Sequence, residues 1–198
     1  MAELPQHDHD APEPSEWVVR FLSGLEAGAR VVDIACGRGR HLRYALEQGH
    51  DVTGLDRDVS KLGDLAGRER VRVIEADLER NAPFPLAGET FDAVIVANYL
   101  WRPILPDIAA CVAPDGILIY ETYALGNERF GKPSNPNYLL KPNELAEVFA
   151  PMLVIVAFEH GQAMRPYPRV IQRIAACGHG HPWADSEPLD LAEISRKL

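Results

Sequence analysis

Residues 31–58 read VVDIACGRGRHLRYALEQGHDVTGLDRD. An apolar run holding one acid, Asp33, meets a turn containing Gly37 and Gly39; a helical pattern follows, and a second apolar run ends at Asp56. The run at 29–35 is short, continuous and β-rich, as in a strand covered on both faces. Residues 39–49 carry Leu42, Ala45 and Leu46 at helical spacing and stop at a glycine, a helix-end signal. Strand, glycine turn, helix and strand predict two parallel strands joined by a right-handed crossover. In such sheets ligands settle beyond the carboxyl ends of the strands, where this turn falls. Gly37 and Gly39 let backbone approach a ligand closely, and the helix behind them offers free N–H groups and roughly half a positive charge. Asp56, at the end of the second strand, is placed to accept both hydroxyls of a ribose.

The alternation continues along the chain. Strands are predicted at 50–56, 70–77, 91–100 and 116–124,. A short helix starts near Asp58, and residues 78–91 form a turn-rich connection. A helix within 102–116 is expected to be interrupted by Pro106 and stopped before Pro114. Another begins at Pro142 or Asn143. The runs at 152–161 and 168–178 have no helix between them and read as a hairpin. Ser15 caps an extra helix before the first strand, with Trp17, Val18, Phe21 and Leu22 on one face. The fold class is α/β: a single Rossmann-like domain with a mostly parallel sheet and helices on both faces.

At 198 residues and 46% hydrophobic, the chain suffices for one well-buried domain,. We assign residues 15–198 to that domain and read the acidic, proline-rich residues 1–14 as a flexible lead-in without the pattern of a secretory signal. No run of about 18 apolar residues occurs, so no membrane span is expected. Three cysteines, an odd and sparse set, argue against a disulfide framework and for a cytoplasmic location,. A net charge of −9 repels polyanions at long range, which disfavours nucleic acid as a partner,.

The glycine turn discriminates among nucleotides. A dinucleotide motif needs G-x-G-x-x-G, and here Leu42 stands at the third glycine position,. Asp33 suits backbone N–H groups or a ligand ammonium and sits poorly beside a diphosphate. Asp77, ending the third strand, is placed to meet an adenine amino group. Acids for ribose and base, without the lysines that accompany phosphates, point to a phosphate-free nucleoside.

The motifs VVDIACGRG, VTGLD, EADLE, FDAVIVANYL and APDGILIYET resemble, in order and spacing, those of class I S-adenosylmethionine-dependent methyltransferases. The resemblance covers residues 31–122 and, with the terminal hairpin, most of the chain. It implies a seven-stranded sheet whose last strand is antiparallel, and S-adenosyl-L-methionine as cofactor with S-adenosyl-L-homocysteine as product. It places Gly37 and Gly39 against the methionine part with Asp33 holding the loop, Asp56 at the ribose hydroxyls, and Asp77 and Leu78 at the adenine, with Ala35, Cys36 and Arg57 as further cofactor-binding residues. It sets Asn98 and Tyr99 beside the transferable methyl. Within the class, the chain is similar to small bacterial methyltransferases of the tellurite-resistance and thiopurine-methylating type.

On the acceptor side, Tyr99 and Glu121 are the candidate catalytic residues. Trp101, Arg102, Tyr123 and Arg129 are the candidate substrate contacts, with Arg165 as a further cation for an anionic acceptor. Residues 125–140 form a long loop, a candidate lid. The activated methyl needs no metal, and the cysteine and histidines of CGHGHPW read as turn residues. The expected reaction is methyl transfer to a small molecule such as a thiol or metalloid oxyanion, by a monomer or homodimer. The competing readings are methylation of RNA or protein, a non-catalytic sensor of the cofactor, and an NAD-dependent oxidoreductase.

Overall fold

A computed structural model describes residues 13–80 and 82–185. Most of the expected lead-in and the last part of the expected domain lie outside those residues. Seven strands form one sheet: β1 (Arg30–Ile34), β2 (Asp51–Asp56), β3 (Val71–Glu75), β4 (Phe91–Ala97), β5 (Val112–Tyr123), β6 (Val154–Ala163) and β7 (Arg169–Cys177). Their order is β3-β2-β1-β4-β5-β7-β6. β7 runs antiparallel to both neighbours, and the β1, β2, β3, β4 and β5 pairings are parallel.

The strand sequences alternate between two cores. Val31, Ala93, Ile95, Ile117 and Ile119 face α1 (Glu16–Leu22) and α2 (Arg40–Glu47). Val32, Val94, Val96, Leu118 and Tyr120 face α3 (Leu105–Ala110) and α4 (Glu144–Phe149). Helix α1 begins where Ser15 Oγ accepts the Trp17 N–H, and it buries Trp17, Val18, Phe21 and Leu22. Burial of each such side chain contributes about 1.5–3 kcal/mol relative to exposure. The Trp17 indole N–H also donates to the Ile174 carbonyl, so the ring is buried without an orphaned donor,.

Three local expectations need correction. The helix expected after Asp58 is a single 3₁₀ segment, Val59–Leu62, capped by the Asp58 carboxylate and ended at Gly63. Pro106 lies in the first turn of α3, where a missing N–H costs nothing, so it starts the helix instead of interrupting it,. β5 begins at Val112 rather than Gly116, running past Pro114 by a register shift: Phe91 pairs with Val112, and Ala93 with Ile117. A proline fits a strand at such an irregularity because it has no N–H for the ladder.

Candidate functional site

The strand order reverses between β1 and β4, and there the carboxyl ends of β1 to β5 open into a cleft of about 790 Å³. Its floor is the turn after β1. Ala35, Gly37 and Gly39 all have left-handed backbone, with φ of 58°, 56° and 73°. A Cβ at Gly37 would meet nothing within 4 Å, so space above the turn is open to the cleft, whereas one at Gly39 would strike Leu62 at 2.6 Å. The turn is tied to β2: the Gly37 N–H donates to Asp56 Oδ2 at 2.8 Å and the Asp58 N–H to Oδ1 at 3.0 Å. Asp56 thus braces the glycine turn through Oδ2 and the chain after β2 through Oδ1, and the remaining lone pairs are left for a ligand,.

Beneath the turn, Asp33 is 1% exposed and its Oδ2 has no hydrogen-bond partner. His41 Nδ1 stands 3.6 Å from that oxygen, while His41 Nε2 accepts the Ser15 N–H. A buried carboxylate oxygen left unpaired is costly, and the cost is relieved by a donor from a ligand. Burial, and then the charges of Asp33 and Asp56, push the Cys36 thiol far above its ordinary value, which disfavours the thiolate,.

Asp77 lines the cleft from the end of β3. The Glu79 amide holds its carboxyl below the usual range against the opposing push of desolvation, with further help from Arg80. Asn98 adopts φ 57°, which turns the chain just past β4, and its N–H donates to the Glu121 carbonyl. The Tyr99 ring lines the cleft, but its hydroxyl is buried without a partner. Burial and the nearby charges of Glu79, Asp77 and Asp56 raise its pKa, so the hydroxyl is protonated at neutral pH. The Tyr120 hydroxyl donates to the Tyr99 carbonyl at 2.9 Å and fixes this bend from the core against which Tyr99 packs.

The cleft therefore brings together Ala35, Gly37, Asp56, Arg57, Asp77 and Leu78, and beyond them Asn98, Tyr99 and Tyr123. Asp33, Cys36 and Gly39 lie outside its lining and shape it from behind. Glu121 is 5% exposed and also outside the lining, with Oε2 unpartnered. Trp101 lines a separate groove of about 170 Å³ with Phe84, Pro83, Pro85 and Pro103. Arg102 is committed elsewhere: it holds Glu144 through two contacts and the carbonyls of Asn137 and Leu139. Arg129 donates to the Gly126 carbonyl and lies over the Phe130 ring, and Arg165 sits between β6 and β7.

One wall comes from the loop at 125–140, through Lys132, Pro133, Ser134, Asn135 and Tyr138. The loop is pinned. The Leu125 N–H donates to the Leu140 carbonyl and the Leu140 N–H to the Tyr123 carbonyl, and the buried Asn127 side chain donates to the Pro133 carbonyl and accepts the Val170 N–H. The length of the loop marked it in the sequence as a candidate lid, but not which of its residues line the cleft, because their position depends on bonds to distant elements. Thr122, also in the lining, was missed although it ends the strand that carries Tyr123. No group of three or more His, Cys, Asp or Glu side chains placed to hold a metal occurs among the described residues. His181, from the histidine-rich turn, accepts the Trp183 N–H.

Residues 31–116 match the methyltransferase domain family. Malonyl-[acyl-carrier protein] O-methyltransferase of Salmonella typhimurium is 32% identical over 133 residues, 64% of this chain and 49% of that protein. The chain thus spans about half the length of the curated relative it matches. The fold superimposes on TehB from Haemophilus influenzae with a TM-score of 0.68 at 16% identity, over 86% of this chain and 64% of that one. It also superimposes on the 1,6-didemethyltoxoflavin-N1-methyltransferase of Burkholderia thailandensis, solved with its substrate and S-adenosylhomocysteine. That likeness has a TM-score of 0.61 at 25% identity, over 81% and 76% of the two chains. With the glycine turn and the sheet order, these comparisons show a match to the methyltransferase domain over residues 31–116 and the fold of class I S-adenosylmethionine-dependent methyltransferases such as TehB. The cofactor of that class fits the cleft, which offers open backbone at Gly37 and carboxylates at the ends of β2 and β3, with the unpaired, buried Asp33 behind the turn.

Proposed function

We propose that this protein transfers a methyl group from S-adenosylmethionine to a small-molecule acceptor. The observation that carries the reading is the single cleft. Carboxylates and open glycine backbone make one half of it, and tyrosines and the pinned loop wall make the other, within about 790 Å³. That volume lies within the ordinary range for small-ligand sites.

Asp56 would bind the ribose hydroxyls, with Arg57 flanking them, and Asp77 the adenine amino group, with the Leu78 amide at the ring. Ala35 and Gly37 would lie against the methionine part, supported by Asp33, Cys36 and Gly39. Asn98 and Tyr99 would border the methyl group, and Tyr123 the acceptor. Bound S-adenosylmethionine supplies a methyl group already activated by a positive sulfur. The chain's contribution is to orient the acceptor, to present tyrosine faces to positive charge and to exclude water. Orientation of this kind is worth roughly 7–11 kcal/mol in favourable cases. Neither Glu121 nor Arg102 is called on in this reading, because neither lines the cleft.

We further read residues 15–198 as one domain, acting as a monomer or homodimer. The three free, buried cysteines support a cytoplasmic location,. No helix among the described residues is long and apolar enough to cross a membrane. Calorimetry with S-adenosylhomocysteine and NADH, followed by transfer of labelled methyl into cell extract, tests the function. Binding of the former and label in small metabolites are expected; NADH binding alone, or label confined to RNA or protein, sinks it.

A further inference from the structure

The two halves of the cleft differ in charge, and this bears on the acceptor. The half assigned above to the cofactor carries Asp56, Asp58, Asp77 and Glu79 against Arg57 and Lys61. The half assigned to the acceptor has no carboxylate in its lining, and Lys132 is its cation. The acids nearby are engaged. Glu128 accepts the Gly126 N–H, Glu144 is held by Arg102 and the Lys141 N–H, and Glu121 is buried outside the lining. Lys132 makes no ion pair among the described residues. On a chain of net charge −9, an exposed lysine without a counter-acid on the wall of a cleft is a local attraction for an anion,.

The surrounding chemistry narrows that anion. Tyr99, Leu100, Tyr123, Pro133 and Tyr138 supply flat, apolar walls, and Tyr138 leaves 39% of its surface exposed. Asn135 Oδ1 is taken by the Asn137 N–H, which leaves its amide N–H groups to donate, as does the hydroxyl of Ser134. One cation with neutral donors suits a single negative charge shared by two oxygens better than a phosphate dianion.

From this, and resting on the function proposed above, we infer that the acceptor is a flat, ring-bearing carboxylate whose charge is met by Lys132. Lys132 is then a specificity-determining residue: it selects the acceptor by its charged handle and leaves cofactor binding alone.

The test uses the full chain saturated with S-adenosylhomocysteine, whose binding is measured by calorimetry in each sample. Fluorine NMR titrations compare 4-fluorobenzoate with 4-fluorobenzyl alcohol, which keeps the ring and lacks the charge, at low ionic strength. The benzoate is expected to bind three- to tenfold more tightly, the range for a partly exposed charge pair reinforced by neutral donors. Lys132→Ala should bring it down to the alcohol, and Lys132→Arg should keep most of the preference. S-adenosylhomocysteine affinity should be the same in all three proteins. Equal binding of the two probes, binding of neither, or a preference that survives Lys132→Ala overturns the inference while the proposed function stands. Failure of S-adenosylhomocysteine to bind the wild-type chain overturns both.

Discussion

Replacing Arg102 by methionine should loosen the acceptor wall without touching the cofactor half. Its guanidinium reaches Glu144 Oε1 at 2.5 Å and Oε2 at 3.0 Å, and the carbonyls of Asn137 and Leu139 at 2.7 and 2.9 Å. Hydrogen bonds to charged groups contribute about 1.5–3 kcal/mol each, and breaking a buried ion pair costs about 3–5 kcal/mol. The Arg102 side chain is 35% exposed and that of Glu144 is 13% exposed, so water replaces part of what is lost. We expect about 2–3 kcal/mol of destabilisation in urea unfolding, or a melting point lower by about 5–10 °C. The effect should depend on pH. Burial pushes the Glu144 carboxyl up, and the Arg102 hydrogen bonds and the Lys141 amide more than reverse this, leaving it below the ordinary 4.5. A depressed carboxyl stabilises the fold above its unfolded pKa, and that stability is lost as pH falls through the folded value. The gap between wild type and Arg102→Met should therefore be full at neutral pH and should close as the solution is acidified below about 4.5. S-adenosylhomocysteine affinity should not change. A variant that unfolds at the wild-type urea midpoint, or a gap that persists unchanged into acid, would refute the reasoning.

Gly178→Ala would drive a Cβ to 2.2 Å from the Pro114 carbonyl oxygen and 2.6 Å from that of Ala113; both are backbone, so we expect at least about 1–3 kcal/mol of destabilisation in chemical denaturation. Burial raises the thiols of Cys36, Cys111 (to about 11) and Cys177. Ellman's reagent should therefore label none of them quickly in the native protein and all three in urea; a fast native phase would contradict their packing. Asp56→Ala removes both the brace on the Gly37 turn and the proposed ribose ligand, and calorimetry should show S-adenosylhomocysteine affinity falling by at least tenfold. Tyr99→Phe deletes a buried hydroxyl that has no partner, so its melting point should stay level or rise by a few degrees.

Much of the sheet was legible because its signals are local. Continuous apolar runs marked β1, β2 and β4, and glycines marked the turn after β1. The acids at the ends of β2 and β3 marked the cleft because strand ends there face one ligand. Residues just past a strand were harder. Tyr120 and Glu121 are adjacent, and a strand sends them to opposite faces; neither reaches the cleft, while Thr122 and Tyr123 do. Trp101 and Arg102 follow β4 closely, yet a 3₁₀ turn at Arg102–Ile104 carries them away from the cleft. The pattern around Pro106 was read for its cost to a helix, and its tolerance in a first turn was passed over. The wall at 132–138 was legible only as part of a long loop; which of its residues line the cleft was not, because its place is set by Asn127 and Arg102, side chains that bind backbone elsewhere in the chain.

That same wall has the construction of an arch. Its feet are bolted down at Asn127 and at the carbonyls of Asn137 and Leu139, while the crown between them carries the residues that face a guest. Substitutions at the crown need not disturb the footings, so the shape of this wall can be altered at a handful of positions while its anchorage holds. The vault that houses the methyl donor is then left as it was.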